Sequence, residues 1–202
     1  MSSLIVSGLP FVYFMLVASL TPGPNNVMLT ASGINFGYQR TWPHILGVIG
    51  GCAIVMLLAA LGMGAAYHAY PPLQVIMKAL GSCYLVYLAY RILKAGRLGL
   101  QEKSEQTARP LRFVEAFGFQ FINPKAIVFA VTAVNILPDY YTVFECCLVA
   151  VVGSTLVCIL STHTWTFFGK LLAKLFRNDR SRRIVTILLA LLLLATIPMM
   201  WR

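Results

Sequence analysis

Two short motifs place proline beside polar residues inside long apolar stretches, and both could do chemistry. The first is Thr21–Asn26, with the sequence Thr-Pro-Gly-Pro-Asn-Asn, and the second is Asn123–Lys125, with the sequence Asn-Pro-Lys. A proline inside a helix removes one backbone donor and clashes with the carbonyl one turn back, at about 3 kcal/mol or more. We therefore expect these breaks where the freed backbone groups serve a purpose.

Each motif predicts the start of a new half-helix in the middle of a membrane span. Thr21 before Pro22, and Asn123 before Pro124, both fit an N-cap residue followed by proline at the first helical position. A helix start presents unpaired N–H groups and the positive end of the helix dipole. Two such starts near the bilayer centre would bind an anionic group, such as a carboxylate.

Lys125 adds a positive charge to the second motif. It lies about a dozen residues into its apolar stretch, roughly 18 Å along a helix, which is too deep for easy snorkelling. Burying lysine at that depth costs about 2.5–3.5 kcal/mol on insertion scales. We predict that Lys125 binds a substrate carboxylate or takes part in proton coupling. The alternative is that it caps carbonyls freed by a break.

The motifs define the predicted site. The predicted substrate-binding residues are Thr21, Pro22, Gly23, Pro24, Asn25, Asn26, Asn123, Pro124 and Lys125. For Asn25 and Asn26, hydrogen bonding between helices is an equal alternative. Lys125 and His163 are candidates for a proton relay, although a histidine in an apolar stretch is more often a hydrogen-bonded packing residue.

Residue sets for other chemistry are absent from the sequence. It contains no glycine-rich phosphate loop, no His-Glu-x-x-His motif, no Cys/His ligand cluster and no pair of intramembrane carboxylates. The five cysteines form no Cys-x-x-Cys motif and are interpreted as packing residues. We therefore expect no catalytic residues, no metal site, no cofactor and no enzymatic activity.

The composition places the motifs in a membrane protein. The chain has 202 residues, of which 59% are hydrophobic and 11% charged, whereas soluble domains have about 45–50% apolar and about 25% charged residues. The net charge of +10 does not indicate nucleic-acid binding, because the basic residues fall in short clusters between apolar stretches. The expected surroundings are a lipid bilayer.

Hydropathy predicts an all-α integral membrane protein with a single domain, residues 1–202. The six predicted spans are 4–31, 43–66, 72–93, 113–137, 143–168 and 184–201, with the first and fourth broken. Gly33 and Gly37 are assigned to the first connection as helix breakers. Gly47 and Gly51 form a small-xxx-small pair that predicts close helix packing. Lys78, near a span end, is expected to snorkel.

The basic residues predict the orientation. With six spans, the first, third and fifth connections lie on one side and hold 13 of the 16 basic residues: Arg40, Arg91, Lys94, Arg97, Lys103, Arg109, Arg112, Lys170, Lys174, Arg177, Arg180, Arg182 and Arg183. The positive-inside rule places these connections in the cytoplasm and both termini outside.

The chain also resembles two halves, approximately 1–94 and 113–202, joined by the basic cytoplasmic loop. Pro24 and Pro124 occupy corresponding positions, one hundred residues apart. Three spans per half is an odd number, so the halves would lie in opposite orientations, as in the inverted repeats of many small transporters.

The sequence resembles the LysE/RhtB family of amino-acid exporters at three motifs. They are Leu20–Asn25, Phe121–Ala126 and the pattern Lys78-x-x-Gly81-x-x-Tyr84-Leu85, and the likeness covers essentially the whole chain. It implies proton-driven efflux of amino acids or close derivatives across the bacterial inner membrane. The stretch Ile184–Ile197 departs from the family by having no glycine, which puts a role of the sixth span in the site in doubt.

The leading hypothesis is an amino-acid exporter that works by alternating access. Its partners would be a small amino acid, protons and the lipid bilayer. The alternative is a membrane-embedded binding or regulatory subunit that does not transport, in which the breaks shape an interface. The sequence names neither the amino acid nor the oligomeric state, for which a homo-oligomer is one option.

Overall fold

The computed structural model describes residues 2–63, 69–98, 109–176 and 179–201, and within them every regular element is helical. This confirms the all-α prediction. The helices are α1 (Ser2–Leu20), α2 (Pro24–Arg40), α3 (Trp42–Leu58) with a π-helical turn at Ala59–Met63, α4 (Pro71–Leu98), α5 (Phe113–Ile122), α6 (Pro124–Val134), α7 (Val143–Leu175) and α8 (Asp179–Met200).

The helices have the length and composition of a multi-pass membrane protein. Three stretches could cross a bilayer alone, namely Trp42–Gly62, Pro71–Lys94 and Val143–Leu175. Helices α5 and α6 are bent by 65° at Asn123, and together they have the length and composition of a further, broken span or of a re-entrant loop. Shorter apolar helices at Gly8–Ser19 and Arg183–Pro198 lie within α1 and α8. The broken fourth helix is therefore confirmed, while the count of six spans stays a prediction.

Large apolar side chains point outward along these helices. Leu156 and Leu160 of α7 are 62% and 58% exposed, and Val114 of α5 is 74% exposed. Exposed apolar surface of this extent is unusual in a soluble monomer and fits contact with lipid acyl chains.

The predicted end of the first span was wrong. Helix α2 continues to Arg40, and Gly33 is buried inside it and does not lie in a connection. A side chain at Gly33 would overlap the carbonyl oxygen of Thr166 in α7. The glycine is thus explained by close helix packing. The chain turns at Gly37, the second predicted breaker, whose φ of 76° and ψ of 170° are accessible essentially to glycine alone.

The later helices also differ from their predicted bounds. Helix α6 ends at Val134, three residues before the predicted end of the fourth span. Helix α7 begins with a capping box, in which Thr142 Oγ1 accepts a hydrogen bond from the Glu145 N–H. It continues to Leu175, so its 33 residues span about 50 Å. The predicted loop residues Lys103, Arg177 and Asn178 lie outside the described part of the chain.

Glycines allow two pairs of helices to meet backbone to backbone. In the first pair, side chains at Gly47 and Gly51 of α3 would overlap the Phe113 and Phe117 carbonyls of α5, which confirms the predicted close packing. In the second, a side chain at Gly169 of α7 would overlap the backbone of Thr30 in α2. These contacts fix α3 against α5 and α2 against α7.

The buried apolar side chains form two clusters, one on each side of the helix breaks. One cluster joins α2, α3, α4, α5 and α8, with Leu85, Phe119 and Leu193 among its fully buried members. The other joins α1, α3, α6 and α7 around Phe11 and Ala133. Helix α3 contributes to both clusters, and the two broken regions meet between them.

Candidate functional site

A cavity of about 130 Å³ lies where the two helix breaks meet. Its walls come from the end of α1, the starts of α2 and α6, and the middle of α3 and α7. The volume is roughly ten times the ~10–15 Å³ that one water molecule needs. The cavity can therefore enclose a small organic molecule.

Both half-helices begin beside this cavity. Helix α2 starts at Pro24 with Gly23 at the N-cap position, and its first helical bond runs from the Val27 N–H to the Gly23 carbonyl at 3.0 Å. The N–H groups of Asn25 and Asn26 precede that bond and have no acceptor within the helix. Asn25 and Asn26 both line the cavity.

The start of α6 repeats this arrangement. Its first helical bond runs from the Ile127 N–H to the Asn123 carbonyl at 3.2 Å, so the N–H groups of Lys125 and Ala126 have no acceptor within the helix. Lys125 and Ala126 also line the cavity. Two helix starts, each with unpaired backbone donors and a positive dipole end, therefore lie beside one cavity, an arrangement that can bind an anion.

The capping prediction was right for the second break and wrong for the first. Asn123 occupies the N-cap position before Pro124, although its side chain caps no N–H group. Thr21 belongs instead to the end of α1, where its hydroxyl donates to the Ala18 carbonyl at 2.6 Å. Gly23, in an extended conformation, takes the N-cap position of α2.

Lys125 joins the two breaks. Its ammonium group donates to Thr21 Oγ1 at 3.1 Å, to the Thr21 carbonyl at 3.3 Å and to the Pro22 carbonyl at 3.2 Å. It also lies 5.4 Å from the centroid of the Phe129 ring, in a cation–π contact. Lys125 thus caps the carbonyls freed by the first break, while it lines the cavity that a substrate would enter.

Gly23 makes room for this contact. A side chain at Gly23 would begin 2.6 Å from Lys125 Nζ and 3.0 Å from its Cδ. The glycine therefore lets the lysine side chain lie directly against the start of α2. Its extended backbone is open to any residue, so the requirement is one of space.

The two asparagines of the first motif hold the site together. Asn25 exchanges two hydrogen bonds with Gln120 of α5, at 2.8 and 3.1 Å, and Gln120 is completely buried. Asn26 donates to the Ser19 carbonyl at 2.9 Å and to the Thr21 carbonyl at 3.0 Å. This geometry fits the predicted alternative of hydrogen bonding between helices, and the predicted substrate contacts stay predictions.

Six of the nine predicted binding residues line the cavity, namely Gly23, Pro24, Asn25, Asn26, Asn123 and Lys125. Thr21 and Pro22 do not line the cavity but accept hydrogen bonds from Lys125, which does. Pro124 is the first residue of α6. His163 lies elsewhere: its Nδ1 is 3.1 Å from the Tyr38 hydroxyl, and its ring packs against Trp42. The relay role of His163 stays a prediction.

The sequence interpretation missed one wall of the cavity. Helix α7 supplies hydroxyl groups from Ser154, Ser161 and Thr162 and the thiol of Cys158, and α3 supplies the thiol of Cys52. The α7 residues are spaced by four, three and one positions, which places them on one helix face. That spacing of small polar residues in an apolar stretch was the available signal.

Comparison with known proteins finds relatives over most of the chain. A family model described as LysE type translocator matches residues 16–196, which include both helix breaks. The cysteine/O-acetylserine efflux protein of Escherichia coli strain K12 is 33% identical over 189 residues, which cover 89% of this chain and 90% of that protein. The proteins of the same name from Escherichia coli O139:H28 and from Shigella flexneri are also 33% identical, each covering about 90% of both chains. No solved structure matches the chain.

Proposed function

We propose that this chain, which belongs to the LysE type translocator family, exports cysteine, O-acetylserine or amino acids of similar size from the bacterial cytoplasm. Membership in that family makes the chain an amino-acid efflux transporter of the membrane and not an enzyme. The choice of cargo rests on the names of its relatives. The alignments with them cover about 90% of this chain and about 90% of each relative.

The observation that carries the proposal is the meeting of two helix starts and Lys125 at one cavity. The free N–H groups of Asn25, Asn26 and Ala126 are the donors that a carboxylate needs, and the Lys125 ammonium supplies a full positive charge. Every amino acid carries this carboxylate, so this half of the site explains the substrate class.

The opposite wall suits a short, uncharged side chain. The hydroxyl groups of Ser154, Ser161 and Thr162 donate to the carbonyls of Val151, Ser19 and Cys158, so their oxygens are available as acceptors for the ammonium or thiol group of a substrate. The Cys52 and Cys158 thiols and Val55 offer a softer surface for a substrate thiol. No Asp or Glu is among the described lining residues, so a basic side chain would find no counter-charge there.

Two inverted repeats, approximately 1–94 and 113–202, are supported by the order of the helices. Each half consists of a broken pair followed by two further helices: α1–α2, α3 and α4, then α5–α6, α7 and α8. The packing is also reciprocal. Helix α3 packs on the broken pair of the second half through Gly47, and α7 packs on the broken pair of the first half through Gly153 and Gly169.

Alternating access follows from a site between such repeats. In the conformation described, Lys125 spends its three donors on Thr21 and Pro22. A bound substrate carboxylate would replace some of these acceptors of Lys125. Substrate binding would then weaken the contact of Lys125 with Thr21 and Pro22, which joins the two helix breaks. In this proposal a proton gradient drives export, with Lys125 or His163 as the proton relay. The connections that hold most of the basic residues lie in the cytoplasm.

Export by the purified protein tests the proposal. Proteoliposomes loaded with labelled cysteine or O-acetylserine should release the label faster than liposomes without protein, and faster still when a proton gradient is imposed. Excess unlabelled substrate outside the proteoliposomes should accelerate release of the label by exchange. Equal release from both kinds of liposome, across a panel that also includes serine, alanine and lysine, would overturn it.

A further inference from the structure

A second cavity, of about 50 Å³, lies at the end of the molecule that carries the described basic residues Arg91 and Arg109. It is enclosed by α2, α3, α4 and the segment before α5, and it shares no lining residue with the first cavity. The volume is several times what one water molecule needs. Its polar lining residues are Ser32, Asn35, His44, Arg91 and Arg109.

His44 is the unexplained residue of this cavity. It is only 1% exposed, and neither ring nitrogen has a hydrogen-bond partner among the described residues. A neutral imidazole carries one donor and one acceptor nitrogen, and buried polar groups in native proteins are almost always paired. A fully buried histidine on a cavity wall with both nitrogens unused indicates a partner that enters from the cavity.

The arginines give the cavity a positive charge. Arg109 forms a bidentate ion pair with Glu115, at 2.7 and 2.8 Å, and this pairing raises the pKa of Arg109. Arg91 Nη1 lies 3.5 Å from Glu115 Oε1 and forms no hydrogen bond, while its Nη2 donates to the Arg109 carbonyl at 3.0 Å. Two guanidinium groups share one carboxylate, so a positive charge remains.

The neutral polar groups around the cavity have most of their donors engaged. Asn35 uses one of its two amide hydrogens on the Ala31 carbonyl at 2.9 Å. The Thr41 hydroxyl donates to the Gly37 carbonyl at 2.7 Å, so in its 3.1 Å contact with Ser32 the Ser32 hydroxyl is the donor. Both ring nitrogens of His44 and Nη1 of Arg91 are buried and have no hydrogen-bond partner among the described residues, so they are the atoms of the lining that most need a ligand.

We propose that this cavity binds a carboxylate through His44 and Arg91, and that it holds the substrate carboxylate before transfer to the central cavity. Helices α2 and α3 line both cavities. From His44 to Cys52, which lines the central cavity, is roughly 12 Å along α3. The identity of the anion as a transported amino acid rests on the proposed function; the carboxylate site itself does not.

The histidine ring is a direct reporter of the site. Acetate is titrated into the purified full chain labelled with nitrogen-15 at its three histidines, and the His44 ring signals are assigned by their loss in His44→Gln. The pH is held constant by a buffer, and the ionic strength is held constant by replacing sodium chloride with sodium acetate. We expect a saturable shift of the His44 signals, because acetate carries the carboxylate and lacks the rest of the substrate.

Variants on α4 test the second half of the site. Arg91→Gln should weaken acetate binding tenfold or more, whereas Lys94→Gln, which removes an exposed charge one turn away, should leave it unchanged. Where Arg91→Gln does not fold, Arg91→Lys serves instead, since it keeps the charge and loses the planar fork. A wild-type shift that does not saturate, or equal affinity in the Arg91 variant, overturns the site.

Transport measurements separate this inference from the proposed function. A saturable His44 shift in a protein that exports no amino acid would leave the carboxylate site standing and reject the cargo. Export without any His44 shift would do the reverse. If both hold, His44→Gln should raise KM for substrate presented at the basic end more than it lowers kcat.

Discussion

The Lys125 ammonium lies 3.1 Å from the hydroxyl oxygen of Thr21, across 104 positions of sequence. This contact ties the end of α1 to the start of α6 and closes one side of the central cavity. Lys125 thus supplies charge to the site and also holds the two helix breaks together.

Replacing Lys125 by alanine should abolish export while the protein still inserts into the membrane. A hydrogen bond to a charged group contributes about 1.5–3 kcal/mol, which corresponds to roughly a 10- to 150-fold loss of substrate affinity. Efflux from cells fed cysteine-containing dipeptides, normalised to the amount of protein in the membrane fraction, measures the effect. The control is Lys78→Ala, because Lys78 lies outside the cavity lining. Wild-type export by the Lys125 variant would remove this residue from the mechanism.

Gly23→Ala should impair export by displacing Lys125. The new methyl carbon would begin 2.6 Å from Nζ, so the lysine has to leave its position against Thr21 and Pro22. We expect a loss of at least several-fold in transport rate and a small change in thermal stability. Gly118→Ala is the matched control, because a side chain there meets nothing within 4 Å. Similar export by the two variants would contradict this account of Gly23.

The reciprocal amide pair of Asn25 and Gln120 should behave as a coupled unit. Asn25→Leu or Gln120→Met leaves the other amide buried without its partner, at about 1–3 kcal/mol. The double variant removes both polar groups and should be less destabilised than the sum of the single changes, with a coupling of about 0.5–3 kcal/mol. The free energy of unfolding in detergent is measured for the wild type, the two single variants and the double variant. Additive effects would show that the pair does not stabilise the fold.

Gly37→Ala should destabilise the turn between α2 and α3. Gly37 has φ 76° and ψ 170°, a region that costs other residues about 1–3 kcal/mol, and nothing crowds the position. The melting temperature in detergent should therefore fall, although no new contact is made. Gly118→Ala again serves as the comparison, and it should leave the melting temperature unchanged or raise it. An unchanged melting temperature for Gly37→Ala would mean that the turn adapts.

Much of this architecture is readable from local chemistry. Proline beside polar residues in an apolar stretch favours a helix start, so the interruptions at Pro24 and Pro124 were predictable from sequence, as was the N-cap position of Asn123, whereas Pro10 and Pro198 lie inside continuous helices. The Gly47 and Gly51 pair likewise predicted close packing, because their spacing places both on one face. Apolar length and composition alone identify the class of protein.

The remaining features depend on distant partners. Gly33 resembles a helix breaker until Thr166 of α7 is brought against it. Thr21 resembles an N-cap until its hydroxyl is seen to donate to the Ala18 carbonyl and to accept from Lys125. Gln120 attracts no notice until it is paired with Asn25. The role of each of these three residues is determined by a partner about a hundred or more positions away. A local sequence pattern does not contain that information.

The glycine contacts between helices also determine which parts of the protein can slide. Where α2 meets α7 at Gly33 and Gly169, and where α3 meets α5 at Gly47, a shift of one residue would drive a Cβ atom into a carbonyl. We therefore expect each pair to move as one rigid body, and each contains one helix from either half of the chain. The central cavity is lined by α2 and α7 of one pair and by α3 of the other, so we expect a change in access to it to move one pair against the other.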